Sequence, residues 1–457
     1  MNAQLKSLAV SLSGGGHRAT LFALGALMYL VDANANANVS SIASVSGGSL
    51  TNGFVGQTLN FKQTNGDEFR RRVAGPLARQ IAFKGTLFAP LMSKLYVAVL
   101  IVSGLLVLAL LLVPWAPEYW RLLAFVIGLA LWGWFAGKRG AMCARAFDKT
   151  LFSPEGSSTR LSAVARTGLD HVICSTEFRS SEQVYFAGDF VYSYALGHGE
   201  PADMTLAHAV QASAAYPGGF PPATLPARRH RFTGAPKIPG GPTTPPDYMV
   251  LTDGGVYDNM GDQWARGFAK RIGWWKELAH GRTSPTQLVV VNSSARVPWS
   301  PFRRRLIPLI GEVLALLRVM DVMFINTTNV RRQVIFDSYN PAEPEKASAL
   351  PSVLVQISQS PFLVPDTYAK ETVPVGQRAR DVLQFLSQGP SREAWAQIAR
   401  DNSNVATTLS KLGAEVSARL VYHAYVLMMC NLHVFFGDDY PLFPEQLDIE
   451  RFRRLLS

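Results

Sequence analysis

The stretch V-S-S-I-A-S-V-S-G-G-S-L, residues 39–50, decides how the rest of the chain is read. An apolar run with β-branched residues ends at Ser46, two glycines follow, and a helix-compatible segment begins. A strand that stops at a serine and turns sharply into a helix lifts the hydroxyl above the sheet, and only small neighbours fit around such a turn. Gly47 and Gly48 leave that room after the serine. Two positions before it, where such elbows usually carry glycine, stands Ser44. Ser46 is therefore a candidate nucleophile. Ser-Gly-Gly alone is common loop chemistry, so the reading depends on what the rest of the chain supplies.

Two distant stretches supply what the serine needs. L-A-V-S-L-S-G-G-G-H-R-A, residues 8–19, is a second apolar strand running into Gly14, Gly15 and Gly16. Backbone N–H groups in such a loop, with the positive end of the following helix behind them, suit a developing oxyanion. The competing reading, a phosphate loop, lacks the Gly-Lys-Ser/Thr that should follow. Y-M-V-L-T-D-G-G-V-Y-D-N, residues 248–259, delivers Asp253 at a strand end, with Gly254 and Gly255 allowing a tight turn. A serine hydroxyl needs a base to take its proton, and a carboxylate withdrawn from water gains basicity.

Glycine-rich loop with arginine, serine elbow and Asp-Gly-Gly, in that order, resemble the patatin-like phospholipases. The resemblance implies that Ser46 is the nucleophile and Asp253 its base. It implies that Gly14, Gly15, Gly16, Arg18 and Gly47 form the oxyanion hole, with Gly48, Gly254 and Gly255 supporting the turns. A-S-A-A-Y-P-G-G-F-P-P (residues 212–222), C-S-T-E-F-R-S-S (residues 174–181) and T-T-L-S-K-L from Thr407 resemble further family segments. Departures are Ser44 and Ala19, the latter where glycine is frequent after the arginine. The implied fold is an α/β three-layer sandwich with a mainly parallel sheet. The implied activity is cleavage of fatty-acyl esters in membrane glycerophospholipids or lysophospholipids, through a Ser–Asp dyad and an acyl-enzyme without a cofactor. Alternating strands and helices at the N-terminus predict the same kind of sheet, covered on both faces. The alternative class is a membrane-anchored lipid-binding or scaffold protein that keeps the fold without turnover. Intact Ser46, Asp253 and loop glycines count against it.

Nearby polar residues have blander readings. His17 occupies a variable position between the glycines and Arg18, and is not a third catalytic member. Asp258 reads as a turn residue, and Asn259 as a residue that positions the loop. Arg18 either fixes the loop or meets a phosphate. Histidines and cysteines show no metal-ligand spacing, and no acidic loop suits calcium.

The chain of 457 residues carries 44 Lys and Arg against 33 Asp and Glu, a net charge of +11. Such a balance favours an anionic partner. No nucleic-acid signature accompanies the charge, whereas long apolar segments do, so the expected partner is membrane phospholipid. Three scattered cysteines argue for a reducing compartment and against a disulfide framework. No secretory signal is visible at the N-terminus.

Residues 95–113 are uncharged and about long enough to cross ~30 Å of hydrocarbon. A turn with Trp115, Tyr119 and Trp120 follows, then a second, shorter apolar run over residues 122–136. Lys84 and Lys94 precede the pair, and Lys138, Arg139 and Arg145 follow it. The positive-inside tendency places both ends and the catalytic parts in the cytoplasm, and the resemblance to bacterial members of the family implies an inner membrane. A buried or re-entrant hairpin is the competing reading. The expected organisation is a catalytic part over residues 1–87, an inserted hairpin over 88–140, a second catalytic part over 141–340, and a mostly helical part over 341–457 packing on it. Residues 33–38 read as a polar linker, and residues 221–246 as an exposed basic loop. The segment after Arg303, Arg304 and Arg305 is amphipathic, suited to an anionic surface or to packing on the sheet.

Overall fold

In the computed structural model, which describes residues 6–154, 156–234, 246–294, 308–338, 350–372 and 374–457, five parallel strands form the centre. The first apolar run is β1 (Leu8–Leu12), buried throughout. It pairs in parallel with β2 (Val39–Ser44) on one side and β9 (Gln287–Asn292) on the other. Beyond β9 lies β10 (Ser352–Gln356), and beyond β2 lies β3 (Asp170–Glu177), both also parallel. Strands buried on both faces read as continuous apolar runs, which is how β1 and β9 appear in the sequence.

Past β3 the sheet turns antiparallel through β4 (Glu182–Phe186), β5 (Val191–Ser193) and β6 (Gly197–Gly199). A further hairpin, β7 (Ala223–Pro226) with β8 (Tyr248–Asp253), joins antiparallel to β3. Its register carries the geometry of the site. On β3, Asp170 to Ile173 pair with β2, and Ser175 to Glu177 pair with β8, while β4 takes the opposite edge. So β2 and β8 lie along the same edge of β3 and run toward each other. Each ends where the other ends.

Helices close both faces. The helix α1 (Gly16–Asp32) is buried over nearly its whole length and packs on α8 (Ala414–Phe436), the longest contact between helices. Gly25 sits at their crossing, where a Cβ would stand 2.1 Å from the Val421 carbonyl oxygen. The elbow helix is α2 (Gly47–Thr58). Two apolar helices, α3 (Leu91–Leu112) and α4 (Glu118–Ala136), project as a hairpin with most of their side chains exposed, and each is long and apolar enough to cross a membrane. The chain returns through α5 (Arg139–Phe147), which packs on α6 (Leu206–Ser213). After β9 comes α7 (Pro308–Asp337).

Several local expectations shift. The helix α1 begins at Gly16, within the glycine triplet itself, so the loop turns directly into it. The second hairpin helix starts at Glu118 and not at residue 122, which makes it long enough for a span. Residues 33–38 are more than a linker: Asn36 is buried, and its amide donates to the carbonyls of Phe61 (2.7 Å) and Thr64 (2.9 Å). The basic loop at 221–246 is largely built: β7 pairs with β8 and His230 is buried, while residues 235–245 lie outside the described residues. Arg303, Arg304 and Arg305 also lie outside them. Residues after 341 contribute β10 to the sheet and α8 to the core.

Candidate active site

The meeting point of β2 and β8 brings Ser46 and Asp253 together. Ser46 has φ 50° and ψ −115°, a backbone conformation that costs a serine about 1–3 kcal/mol and is held by its surroundings. Gly47 and Gly48 are there because nothing larger fits. A Cβ on Gly47 would stand 2.1 Å from the Gly16 carbonyl oxygen, and one on Gly48 2.7 Å from that of Leu12. Gly254 is similarly confined, with a Cβ 2.4 Å from the Cys174 carbonyl oxygen.

Asp253 is buried at 5% exposure. Burial pushes its carboxyl up to about 6, against the opposing pull of the Gly255 N–H (2.7 Å to Oδ1) and of the neighbouring Ser46 hydroxyl. Its backbone is clamped as well: the Asp253 N–H donates to the Ala215 carbonyl (3.1 Å) and the Thr176 hydroxyl donates to the Asp253 carbonyl (3.0 Å). The carboxyl is thus raised toward neutrality and its backbone is held in place from both sides.

Of the three loop glycines, Gly14 has its N–H committed to the Asn259 carbonyl (3.1 Å), so it lines the site without donating into it. Its Cβ position lies 3.3 Å from the Ser46 Cβ, which shows how closely loop and elbow approach. The N–H groups of Gly15, Gly16 and Gly47 have no partner among the described residues. Gly15 and Gly16 have φ of 140° and 59°, which glycine adopts without strain. Gly47 follows Ser46 directly, and its Cα packs against Gly16, so the loop and the elbow are in contact.

Arg18 is buried, and its guanidinium is committed to oxygens outside the dyad. Its Nε donates to the Ser293 carbonyl (2.8 Å), one Nη to the Val405 carbonyl and the other to the Thr407 hydroxyl (3.2 Å). Of the two readings left open for it, the contacts match the first: it fastens the loop. His17 does the same from its other side. The Ser410 carbonyl can only accept, so Nδ1 carries the proton (2.7 Å), and Nε2 accepts from the Thr86 hydroxyl (2.9 Å). Burial lowers its pKa to about 4, leaving it neutral. Asn259 donates from Nδ2 to the Ser294 hydroxyl (2.9 Å).

Asp258 does cap the turn, accepting N–H bonds from Met260 (3.0 Å), Gly261 (3.1 Å) and Gln263 (2.9 Å). It is also fully buried beside Asp262, and Arg331 from α7 reaches both, at 3.3 and 3.0 Å. Nothing in the sequence around Asp258 points to an arginine so far away.

A polar chain under the elbow was also silent in the sequence. The Ser46 N–H donates to the Ser213 hydroxyl (2.9 Å), which meets Ser49 (3.0 Å); Ser49 donates to Ser44 (3.1 Å), and Ser44 to the Val172 carbonyl (3.0 Å). Asn52 donates to Ser44 (2.9 Å) and accepts from His171 (2.8 Å). Ser44, the departure from the usual glycine, is the middle link. Ser213 also joins the two halves of the site, because its carbonyl accepts the Gly254 N–H (3.2 Å).

The family model for patatin-like phospholipases matches residues 10–261, more than half of the chain, and the match includes Ser46, Asp253 and the glycines of both turns. The chain belongs to the patatin-like phospholipase family. The chemistry that goes with this family is lipid acyl hydrolysis. Among solved structures, human GIVD cytosolic phospholipase A2 aligns at 12% identity with a TM-score of 0.44, covering 99% of this chain and 60% of the other. VipD from Legionella pneumophila aligns at 12% identity with a TM-score of 0.26, covering 99% of this chain and 91% of the other. The chain thus spans about three-fifths of the length of the phospholipase A2. No curated protein matches it significantly in sequence. Among the described residues no group of His, Cys, Asp and Glu is arranged to hold a metal ion.

Proposed function

We propose that this patatin-like protein is a serine acyl hydrolase that cleaves fatty-acyl esters of membrane glycerophospholipids or lysophospholipids through a Ser46–Asp253 dyad. The observation that carries the reading is the head-on approach of β2 and β8 along one edge of β3, which sets a strained serine beside a buried carboxylate. Ser46 Oγ attacks the ester carbonyl carbon as its proton passes to Asp253. The carbonyl oxygen takes the negative charge and is held by the N–H groups of Gly15 and Gly16 with that of Gly47. Collapse breaks the ester C–O bond, and the leaving alcohol takes the proton from Asp253. Water then attacks the acyl-enzyme, passing a proton through Asp253 back to Ser46, and a fatty acid leaves. Gly14, Gly48, Gly254, Gly255 and Arg18 keep the turns that make this possible.

The hairpin α3–α4 fixes the enzyme in a membrane, with the catalytic part on the cytoplasmic side of a bacterial inner membrane. Basic residues at both feet, and only Arg121 against Glu118 in the connecting turn, support that orientation. Fatty-acid release from mixed phospholipid vesicles by the detergent-purified full chain tests the reading. Ser46→Ala and Asp253→Ala should each lower the rate by orders of magnitude; a loss below about tenfold in either overturns the dyad.

A further inference from the structure

Both feet of the hairpin are built into the walls of the candidate site. At the first foot, the Thr86 and Leu87 N–H groups donate to the Leu409 carbonyl (3.2 and 3.3 Å), and the Thr86 hydroxyl meets His17, next to the oxyanion glycines. Thr408, from the same segment, lies against Gly16. At the second foot, α5 packs on α6, and Gly140 lies against Gln211, where a Cβ would stand 3.2 Å from Nε2. Two residues later Ser213 holds the backbone of Ser46.

We propose that the face carrying the site docks on the anionic leaflet that the hairpin enters, so that the lipid substrate is drawn directly from that leaflet. The proposal rests on the acyl-hydrolase reading above. A helix pair entering hydrocarbon holds its feet at headgroup depth. Whatever is bonded within a few residues of those feet is held at that depth too, and here that is the oxyanion loop on one side and the Ser213 bridge on the other. Surface chemistry matches. Over residues 84–94 and 138–149 the chain has Lys84, Lys94, Lys138, Arg139, Arg145 and Lys149 against Asp148 alone. Phe83 and Phe88 at the first foot and Tyr216 just past Ser213 are exposed at 51%, 37% and 56%. Aromatic rings among lysines and arginines are what an anionic headgroup layer accommodates. A protein partner would need none of this alignment with the hairpin.

Depth-dependent quenching tests the proposal on the full chain. Cys143, Cys174 and Cys430 are all buried, so a thiol-reactive fluorophore reports an introduced cysteine. Labels at Leu105→Cys in the hairpin, Phe88→Cys, Tyr216→Cys and Thr167→Cys are compared in phosphatidylcholine–phosphatidylglycerol vesicles with and without brominated acyl chains. Thr167 is exposed at the start of β3, the opposite end of the sheet from the site. Emission should be lost at positions 105, 88 and 216 and unchanged at 167. Reversing Lys84, Lys138 and Arg145 to Glu should weaken quenching at 216 and leave it unchanged at 105. A label at 216 that behaves like the one at 167, or a label at 105 that brominated lipid does not quench, overturns the proposal. Fluorophosphonate labelling of Ser46 in the same samples judges the hydrolase reading separately: quenching at 216 without labelling upholds docking and defeats hydrolysis.

Discussion

At the scale of single residues, Asp253 carries two opposed consequences of burial. It accepts a proton only when ionised, and burial places its carboxyl at about 6. The rate constant kcat/KM should therefore rise with pH through about 6 and level off above it; a limb near the ordinary carboxylate value of about 4 would show an unburied base. The same shift works against folding. A carboxyl raised in the folded state contributes stability that is present below its unfolded value and lost as pH rises through its folded value. Asp253→Asn should accordingly be inactive yet more stable than the wild type at pH 8, by up to about 3 kcal/mol, with the gain vanishing below about pH 4. Thermal unfolding of the two proteins across pH reads this directly. Ser213 offers a second residue-scale test. Ser213→Ala removes the acceptor for the Ser46 N–H without touching the Ser46 hydroxyl or Asp253. Expected is a fall in kcat of about tenfold to a hundredfold with KM little changed, and partial recovery in Ser213→Thr. An equal loss of folding stability in both variants, with kcat preserved, would make the hydroxyl merely structural.

Among elements, the loop of Gly14, Gly15 and Gly16 is the least self-sufficient. Its glycines permit the turn but do not select it, and the turn is held from outside by the segment at 405–410. Arg18 reaches that segment at Val405 and Thr407, His17 reaches Ser410, and the His17 N–H donates to the Thr408 carbonyl (2.9 Å). Arg18→Lys keeps the charge and loses the fork that binds three oxygens in fixed directions. The loop should then lose its exact aim: kcat falls about a hundredfold while fluorophosphonate still labels Ser46 slowly. An unchanged kcat would mean that the C-terminal segment alone shapes the loop.

Across the whole molecule, α7 is bolted by charge to the loop that follows β8 and Asp253. Arg331 faces the buried carboxylates of Asp258 and Asp262, and Arg266 adds a second cation on Asp262 (2.6 Å). Removing one partner of such a group leaves a buried charge without compensation, which costs about 3–5 kcal/mol. Arg331→Met should lower the thermal midpoint markedly, and the loss should shrink as the pH is lowered, because protonated Asp258 no longer needs the cation. Burial, and then the neighbouring Asp262, already push the Asp258 carboxyl well above the usual carboxylate range. A midpoint insensitive to the substitution would show that α7 is held by other contacts.

What the sequence by itself determined is the set of local backbone events. Strand, serine and two glycines announce the elbow, because a tight turn excludes side chains wherever it occurs. Asp-Gly-Gly marks the second turn for the same reason, and two long uncharged runs mark the hairpin, since apolar length needs no partner to be recognised. Tertiary structure alone decided how these pieces meet. That β2 and β8 converge on one edge of β3 depends on a parallel pairing between residues 129 positions apart (Ser41 with Asp170) and an antiparallel one between residues 78 apart (Ser175 with Asp253), and neither leaves a local trace. It decided that Gly14 donates to Asn259 and not into the site, and that Arg18 fastens the loop. It gave Ser44 and Ser213 their places in a buried chain of hydroxyls, and Arg331 its two carboxylates. Hydroxyls and charges are satisfied by whatever the fold brings within reach, so their partners are legible only once the chain is folded.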